Sequence, residues 1–386
     1  MEIGLITLAI ILATLLGWLL KQSFNTQPWV AEEVSATAHE ARLLDMSGKE
    51  VHRWSVDPTV ISRGWAATGQ PLTDVAAIYW RRAKPLPDGS LLVLFENSRL
   101  TPYASGMLKL DWDSNVVWMA PRHYHHSIDI GPDGKIYTLY QYVEETPPEF
   151  ASFMHAPFLN EGIAVLDSSG NELRRWGVLE AFAGTVYESH LKQLETAPSG
   201  DPLHLNRVQY LTADTASKLP FAMEGDLVVS IRNLNTVAII SHKTEKVVWA
   251  ASGLWHRQHE PVFTPHGTML IFDNLGAVKG SRALEVNPMT GDVIWNYAGT
   301  SDLTLDSSKY STISWLPNGN RLVSSTYGAR ALEVTPENET VWEWRSDRRL
   351  GDEQQNVGHL MEMVRVPLDF FTHRAGQVAR SDRNVE

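Results

Sequence analysis

The alternation of apolar and polar residues divides most of the chain into short strands that are joined by tight turns. Six times, an apolar strand is followed by a turn of Asp, Ser, Asn, Gly or Pro and by a second strand that carries a tryptophan. This pattern is typical of a β-hairpin, because those residues favour the backbone conformations that tight turns require. The tryptophans of these hairpins are Trp54, Trp118, Trp176, Trp249, Trp295 and Trp342.

A second kind of hairpin lies between the tryptophan hairpins and turns at a Pro-x-Gly sequence, as in "HSIDIGPDGKIYTLYQ" and "PVFTPHGTMLIFDN". Two hairpins per repeat make a four-stranded unit, and repeats of about 40 to 50 residues are the size of propeller blades. We therefore predict an all-β fold, a six-bladed β-propeller. The hairpin from Leu43 to Trp54 and the apolar run from His359 to Val366 are expected to complete one blade together and close the ring.

The N-terminal segment does not alternate between apolar and polar residues but is an uninterrupted apolar run. The 18 residues from Ile3 to Leu20 carry no charge, and a helix rising ~1.5 Å per residue could span a hydrocarbon core of ~30 Å over that length. We predict an uncleaved transmembrane anchor, because no basic region precedes the run and no clear cleavage site ends it. Lys21 alone would place the globular part in the cytoplasm. The predicted divisions are an anchor (1–22), a linker (23–40), the propeller (41–368) and a polar tail (369–386).

Charge and composition exclude several classes of function. The net charge of −12 offers no basic face to a phosphate backbone, so we exclude nucleic acid as a partner. The chain contains no cysteine, which excludes disulfides, thiolate catalysis and cysteine-ligated metals.

Counting back from the turn glycine of each Pro-x-Gly hairpin identifies equivalent positions at the start of the strands that should line the central channel. His259 and His126 each lie eight residues before that glycine. The first strands of all blades surround one channel, so side chains at this position are predicted to meet. With the two remaining blades aligned by their apolar pattern, the register is Arg81, His126, His204, His259, Ser311 and His359.

These residues favour two kinds of chemistry. Arg232 adds a guanidinium at the end of an apolar strand in "LVVSIRNLN". Arginine presents a planar fork of donors and histidine can donate or attack, a combination that suits a small oxyanion. Neutral imidazoles also suit a transition metal, but a neighbouring arginine opposes a bound cation, so a metal site ranks second. A serine hydrolase ranks lower still, because no G-x-S-x-G elbow is present.

Several stretches resemble the bacterial arylsulfotransferase family. They are "HHSIDIGPDG", "DPLHLNRVQY", "VVSIRNLNTV", "QHEPVFTPHGTMLIFDN", "SRALEVNPMTGDVIWNY" and "WLPNGNRLVSSTYGARALEVTPENETVWEW", and they extend in order from about Trp80 to Trp344. The resemblance implies a six-bladed propeller that moves a sulfuryl group from an aryl sulfate donor to a phenolic acceptor, without a nucleotide donor or other cofactor. It also implies a periplasmic or extracytoplasmic location.

The resemblance implies roles for individual residues as well. His259 in "QHEP" falls on the histidine that becomes transiently sulfated, and His126, His204 and Arg232 fall on residues that bind the sulfuryl group. We expect further substrate contacts from Asn206, Gln258, Arg81, His359 and Asn274.

Two other functions stay open at this stage. A propeller that has kept the site but lost its activity would serve as a membrane-anchored binding or assembly subunit of a membrane complex. A metal-dependent enzyme would use the channel histidines instead. Glu260 follows His259 directly and is expected to bring a carboxylate close to an anionic substrate.

Overall fold

Sheets of four antiparallel strands are the building units of the structure, a computed structural model. It describes residues 5–12, 39–197, 200–278, 280–300, 304–347, 349–350, 356–367 and 370–371. Residues 13–38, with most of the predicted linker, and residues 372–386 of the predicted tail lie outside this part of the chain.

Three strands precede the blades, β1 (Leu5–Leu12), β2 (His39–Leu44) and β3 (Glu50–Ser55). Blade 1 contains β4 (Ile78–Pro85), β5 (Leu91–Asn97), β6 (Ala104–Leu110) and β7 (Val116–Ala120). Blade 2 contains β8 (Tyr124–Ile130), β9 (Ile136–Glu144), β10 (Phe158–Leu166) and β11 (Glu172–Gly177). Blade 3 contains β12 (Leu205–Tyr210), β13 (Leu227–Ile231), β14 (Thr236–Ile240) and β15 (Val247–Ser252).

Blade 4 contains β16 (His259–Phe263), β17 (Met269–Asp273), β18 (Arg282–Val286) and β19 (Val293–Tyr297). Blade 5 contains β20 (Thr312–Trp315), β21 (Arg321–Ser325), β22 (Arg330–Val334) and β23 (Thr340–Arg345). The chain continues with two-residue strands β24 (Arg349–Leu350) and β25 (Asn356–Val357) and ends its described strands with β26 (His359–Pro367).

A further four-stranded sheet joins the two ends of the chain, in the order β26-β1-β2-β3. The innermost strands of neighbouring sheets contact one another in the cycle β4, β8, β12, β16, β20, β26 and back to β4. The predicted all-β propeller with four-stranded blades is confirmed. Five blades are continuous runs of four strands, and a count of six depends on this closing sheet.

The structure corrects the prediction of a helix for part of the N-terminal segment. Leu5–Leu12 forms β1, which pairs with β2 on one side and with β26 on the other. A short apolar run fits a buried strand as well as a helix, so its pattern alone cannot choose between them. The described residues include no helix that is long and apolar enough to cross a membrane. The membrane anchor and the location of the protein stay predictions.

The tryptophan hairpins form the outer edge of each sheet. Each of the six tryptophans lies on the outermost strand, β3, β7, β11, β15, β19 or β23. Asp45, Asp111 and Asp167 stabilise three of the preceding turns, because each side chain accepts hydrogen bonds of 2.8–3.0 Å from backbone N–H groups two or four residues ahead. The sequence therefore placed these hairpins correctly.

The inner hairpins also agree with the prediction. Gly89, Gly134, Gly267 and Gly319 follow the prolines of the β4–β5, β8–β9, β16–β17 and β20–β21 turns, at φ between 76° and 87°. This left-handed conformation favours glycine, and it fixes where the inner strand begins relative to the turn.

Short helices occupy some of the connections. They are α1 (Pro58–Ala66), α2 (Val178–Phe182) and α3 (Ala213–Ala216), with 3-10 turns at Val75–Ala77, Glu149–Ala151, Glu188–Thr196 and Arg232–Leu234. Asp57 caps α1 by accepting from the backbone N–H of Thr59 at 2.8 Å. Two of the 3-10 turns lie in long connections, one between β9 and β10 and the other between β11 and β12.

Candidate functional site

Several innermost strands carry a β-bulge close to their start. The register shifts within β4, β8, β12 and β16, at Trp80/Arg82, His125/Ile128, Leu205/Arg207 and His259/Val262. Left-handed φ values of 56°, 55°, 51° and 76° occur nearby, at His126, His204, Glu260 and Ser311. Residues other than glycine rarely adopt this backbone conformation, and backbone strain of this kind concentrates at functional sites. The bulges therefore mark one end of the channel as the place to look for a site.

His259 at the start of β16 is held in one tautomer. Its Nδ1 lies 2.8 Å from Oδ1 of Asn274. The amide nitrogen of Asn274 donates to the carbonyls of Ser307, at 2.6 Å, and Tyr310, at 3.0 Å, so the amide oxygen is left as the acceptor. His259 therefore carries its proton on Nδ1 and a lone pair on Nε2.

The environment also keeps His259 neutral. Burial, followed by the charges of Arg232 and Arg81, lowers the pKa of His259 well below its usual value. Its Nε2 accepts a hydrogen bond of 3.2 Å from the backbone N–H of Tyr310. A neutral imidazole with its lone pair on Nε2 is the form that can act as a nucleophile.

Two guanidinium groups lie within electrostatic reach of this imidazole. Arg81 on β4 is only 4% exposed, and it lies over the ring of Tyr310 with 4.9 Å between its Cζ and the ring centroid. Within the part of the chain that the structure describes, neither Arg81 nor Arg232 forms an ion pair, and the Nε of each has no hydrogen-bond partner. Burial, followed by the charge of Arg257, lowers the pKa of Arg232 to about 10, which leaves it charged at neutral pH. Buried cations without counter-ions are costly, and a bound anion would compensate them.

His126 joins the cluster from blade 2. Its backbone N–H donates to Oε1 of Glu96 at 2.9 Å, and its Nδ1 lies 2.9 Å from Nδ1 of His125. The hydroxyl of Tyr79 donates to the other oxygen of Glu96 at 2.6 Å. Burial, followed by the charge of Arg81, lowers the pKa of His126 well below its usual value. His126 is therefore a second neutral imidazole, held in place through Glu96.

His204 completes the group just before β12. Its Nδ1 lies 2.5 Å from Oδ2 of Asp201. Its ring packs edge-on against His126, with 5.0 Å between the ring centroids. The structure thus brings the predicted residues of blades 1 to 4 into one cluster, which consists of Arg81, His126, His204, Arg232 and His259.

Other predicted substrate contacts instead have protein partners. The amide nitrogen of Gln258 lies 3.1–3.3 Å from three acceptors of blade 3, on Ser230, Ile231 and Thr236. Asn206 donates to the carbonyl of Gln258 at 2.8 Å, and its own oxygen is buried without a partner among the described residues. Asn274 therefore positions His259, and the amide nitrogen of Gln258 is occupied by blade 3, whereas Oε1 of Gln258 is buried without a partner among the described residues. Asn206 keeps an acceptor that a ligand could use.

Two members of the register lie outside the cluster. Ser311 and Thr326 exchange backbone-to-hydroxyl hydrogen bonds of 3.0 Å, which tie the start of β20 to the end of β21. The ring of His359 contacts Tyr327, with 5.2 Å between the centroids. No described contact joins His359 to the clustered histidines and arginines, so its predicted role in binding substrate has no support here.

The carboxylate of Glu260 has cationic partners within the protein. It pairs with Arg82 at 2.5 Å and with Arg207 at 3.2 Å, and Arg82 also pairs with Glu362. Burial raises the pKa of Glu260, but Arg207 and Arg82 together lower it further, to below its usual value. Two guanidinium groups therefore compensate the negative charge that was expected to repel an anionic substrate.

Among the described residues, one group could hold a metal ion. The ligand atoms of Glu96, His125 and His126 lie within 4.8 Å of one another, and all three residues are buried. Arg81 lies close enough to His126 to lower its pKa, and its charge would oppose a cation at the same place. Both oxygens of Glu96 also already accept hydrogen bonds from the protein.

Reasoning from the sequence missed several residues around the cluster. Tyr310, at φ 59°, supplies the N–H that reaches His259. Arg257 and Arg232 both donate to the side-chain oxygen of Asn233. Burial, followed by the charge of Arg232, lowers the pKa of Lys309 to about 8. Arg257 could have been noticed two residues before His259, whereas Tyr310 and Lys309 lie in a connection without a repeating pattern.

A family model described as arylsulfotransferase (ASST) matches residues 82–347, more than half of the chain. The chain belongs to the arylsulfotransferase family. The matched part of this family member contains His126, His204, Arg232 and His259, whereas Arg81 lies one residue before it and His359 beyond it. A comparison with curated proteins found no match.

Solved structures similar to this arylsulfotransferase-family chain include a protein of unknown function from Bacteroides caccae. The two share 9% sequence identity at a TM-score of 0.53, over 94% of this chain and 99% of the other. A streptogramin B lyase aligns at 11% identity and a TM-score of 0.44, over 80% of this chain and 76% of the lyase. At such identities the first likeness shows the fold alone, and the second is too distant to carry an argument.

Proposed function

We propose that the protein transfers a sulfuryl group from a phenolic sulfate ester to a phenol through a sulfated His259. The observation that carries this proposal is the pairing of a neutral His259, with its lone pair on Nε2, and two guanidinium groups, Arg81 and Arg232, that have no ion-pair partner among the described residues. The nucleophile and the groups that would bind the sulfuryl oxygens are thus side by side.

The transfer takes place in two steps. Nε2 of His259 attacks sulfur, an N–S bond forms, and the bond between sulfur and the donor's phenolic oxygen breaks as phenolate leaves with the electron pair. The hydrogen bond from Tyr310 to Nε2 must open for this attack. A second phenol then attacks the same sulfur, loses its proton to a base, and returns the N–S electron pair to Nε2. Arg81 and Arg232 stabilise the charge on the sulfuryl oxygens in both steps.

A transfer assay tests the proposal. The full chain is incubated with 4-nitrophenyl sulfate and phenol, and both 4-nitrophenolate and phenyl sulfate are measured. We expect ping-pong kinetics, because the donor product leaves before the acceptor reacts. Absence of phenyl sulfate above the level of a His259→Ala variant would refute the proposal.

Asn274 is expected to affect this reaction without contacting substrate. Replacing it with leucine removes the acceptor that keeps the proton of His259 on Nδ1, and partners that orient a reacting histidine typically contribute about 10- to 100-fold. We expect kcat to fall by about that factor, with KM for the donor changed much less. The ¹⁵N shifts of His259 should show loss of the Nδ1–H tautomer, and unchanged kcat would contradict the assignment.

A metal-dependent enzyme is the second candidate, because Glu96, His125 and His126 are placed to share an ion. The charge of Arg81 favours the sulfuryl site instead. We expect purified protein to contain well below one equivalent of transition metal, and incubation with EDTA to leave transfer unchanged. A stoichiometric metal whose removal abolishes activity would favour the second candidate.

A further inference from the structure

Transfer to a phenol releases a proton, and the structure offers four imidazoles around the site to accept it. His259 is sulfated at that moment, so it cannot serve. His125 and His126 are almost completely buried, at 0% and 2% exposure, and burial lowers the pKa of both, that of His125 to about 4. These two rings are weak bases, because a proton on either would be desolvated.

His204 has a carboxylate partner, as His125 and His126 do, but its ring is the more accessible one. Its Nδ1 lies 2.5 Å from Oδ2 of Asp201, whereas Nδ1 of His259 faces a neutral amide. The side chain of His204 is 23% exposed, so a substrate can reach it. A carboxylate on one ring nitrogen fixes the tautomer, leaves the other nitrogen as a base, and stabilises the imidazolium that forms.

Hydrogen bonds hold the pair of His204 and Asp201 next to the cluster. The carbonyl of Asp201 accepts from the side chain of Asn233 at 2.7 Å, and Asn233 in turn accepts from Arg232 at 3.0 Å. His204 is fixed in the left-handed region, at φ 55°, directly before β12. Its Nε2 makes no hydrogen bond to any described residue, and its ring lies against His126.

We propose that His204, positioned by Asp201, is the general base that takes the proton of the acceptor phenol. The phenolic oxygen forms its bond to sulfur as its proton passes to Nε2 of His204, and the N–S electron pair returns to His259. With a donor whose phenolate is strongly basic, the first step is the reverse transfer: His204 protonated on Nε2 gives its proton to the departing oxygen and is then neutral, ready to take the acceptor's proton in the second step. Asp201 is a positioning residue that touches neither substrate nor sulfur. This inference rests on the proposed function and assigns its proton transfer.

Phenols of graded acidity distinguish a base from a structural residue. Asp201→Asn and His204→Gln are compared with the wild-type chain, using 4-nitrophenyl sulfate as donor and acceptors from strongly acidic to weakly acidic phenols. A general base matters most for acceptors that are un-ionised at the assay pH. We expect turnover with phenol itself to fall about 100-fold or more in His204→Gln, and about 10- to 100-fold in Asp201→Asn. Turnover with an acceptor already ionised should change little in Asp201→Asn, and in His204→Gln it should fall by a much smaller factor than turnover with phenol.

The burst of 4-nitrophenolate is the internal control for folding and for the first step. It should keep its amplitude in Asp201→Asn, because a good leaving group needs no proton and the sulfation of His259 requires an intact site. Raising the pH should restore turnover with phenol as the acceptor ionises. Asp201→Glu is expected to recover part of the lost rate, since it returns a carboxylate to Nδ1.

The chain contains a second Asp–His pair that serves as a matched control. Nδ1 of His242 lies 3.0 Å from Oδ1 of Asp226 at the outer side of blade 3, and His242→Gln should leave transfer to every acceptor unchanged. Equal losses for acidic and weakly acidic acceptors, or no loss in His204→Gln, would overturn the assignment of the base. Absence of any transfer in the wild-type chain would instead refute the proposed function itself.

Discussion

Replacing His259 with alanine is expected to lower kcat/KM for sulfuryl transfer by ~10⁴-fold or more, because loss of a covalent nucleophile typically has an effect of that size. The structure gives this residue a single tautomer through Asn274, a neutral ring, and two arginines within electrostatic reach. The initial rate of 4-nitrophenolate release at saturating phenol measures the loss. A His259→Ala variant with more than about a tenth of wild-type kcat/KM would contradict a nucleophilic role.

His266 provides the control for this substitution. It lies exposed at the turn of the same hairpin, against Trp315, so His266→Ala should leave transfer unchanged. Peptide mass spectrometry after brief exposure to donor without acceptor should find one sulfuryl group on the peptide that contains His259. No such adduct is expected on the His259→Ala chain.

The protonation state of His259 predicts how the pre-steady-state burst depends on pH under acidic conditions. Its pKa is lowered well below the usual ~6.5, by burial first and by Arg232 and Arg81 next. The nucleophile therefore stays unprotonated as the pH falls through that value, and the pre-steady-state burst should persist there. A burst that is lost with an apparent pKa near 6.5 would show that the imidazole is solvated rather than buried.

The repeat in the sequence was sufficient to find the propeller and most of the cluster. The turn glycine fixes the distance to the start of an inner strand, so Arg81, His126 and His259 could be aligned by counting alone. His204 required the apolar pattern, because the turn between β12 and β13 contains α3. Both kinds of inference use local geometry that each blade repeats.

What the sequence could not show depends on contacts between blades. A β-bulge lies between His259 and Val262, and the side chains of His259 and Glu260 there have different partners. The sequence "QHEP" contains no pattern that predicts a bulge. The two carbonyl groups to which Asn274 donates lie more than 30 residues away, in the connection before β20. Leu5–Leu12 is apolar enough for either a helix or a strand, and only its neighbours β2 and β26 make it a strand.

The salt bridges around Arg82 are expected to be the largest single electrostatic contribution to stability near the site. Arg82 is 3% exposed and joins Glu260 of blade 4 to Glu362 of β26, so it connects sheets that are far apart in the chain. Replacing it with methionine leaves buried carboxylates without this partner, and breaking a buried ion pair in this way costs about 3–5 kcal/mol. Urea unfolding followed by tryptophan fluorescence should show a loss of that size in the free energy of unfolding.

The remaining groups determine how this loss can be reversed. Arg207 still compensates Glu260 in the Arg82→Met variant, so most of the penalty falls on Glu362. Burial already raises the pKa of Glu362 above its usual value, despite Arg82. The deficit should therefore shrink as the pH is lowered and Glu362 takes up a proton, and Glu362→Gln should restore part of the stability at neutral pH.

Arg345→Met, which breaks the exposed pair with Glu343 on β23, should cost at most about 1 kcal/mol. An Arg82→Met variant no less stable than Arg345→Met would mean that the carboxylates are already protonated in the native protein.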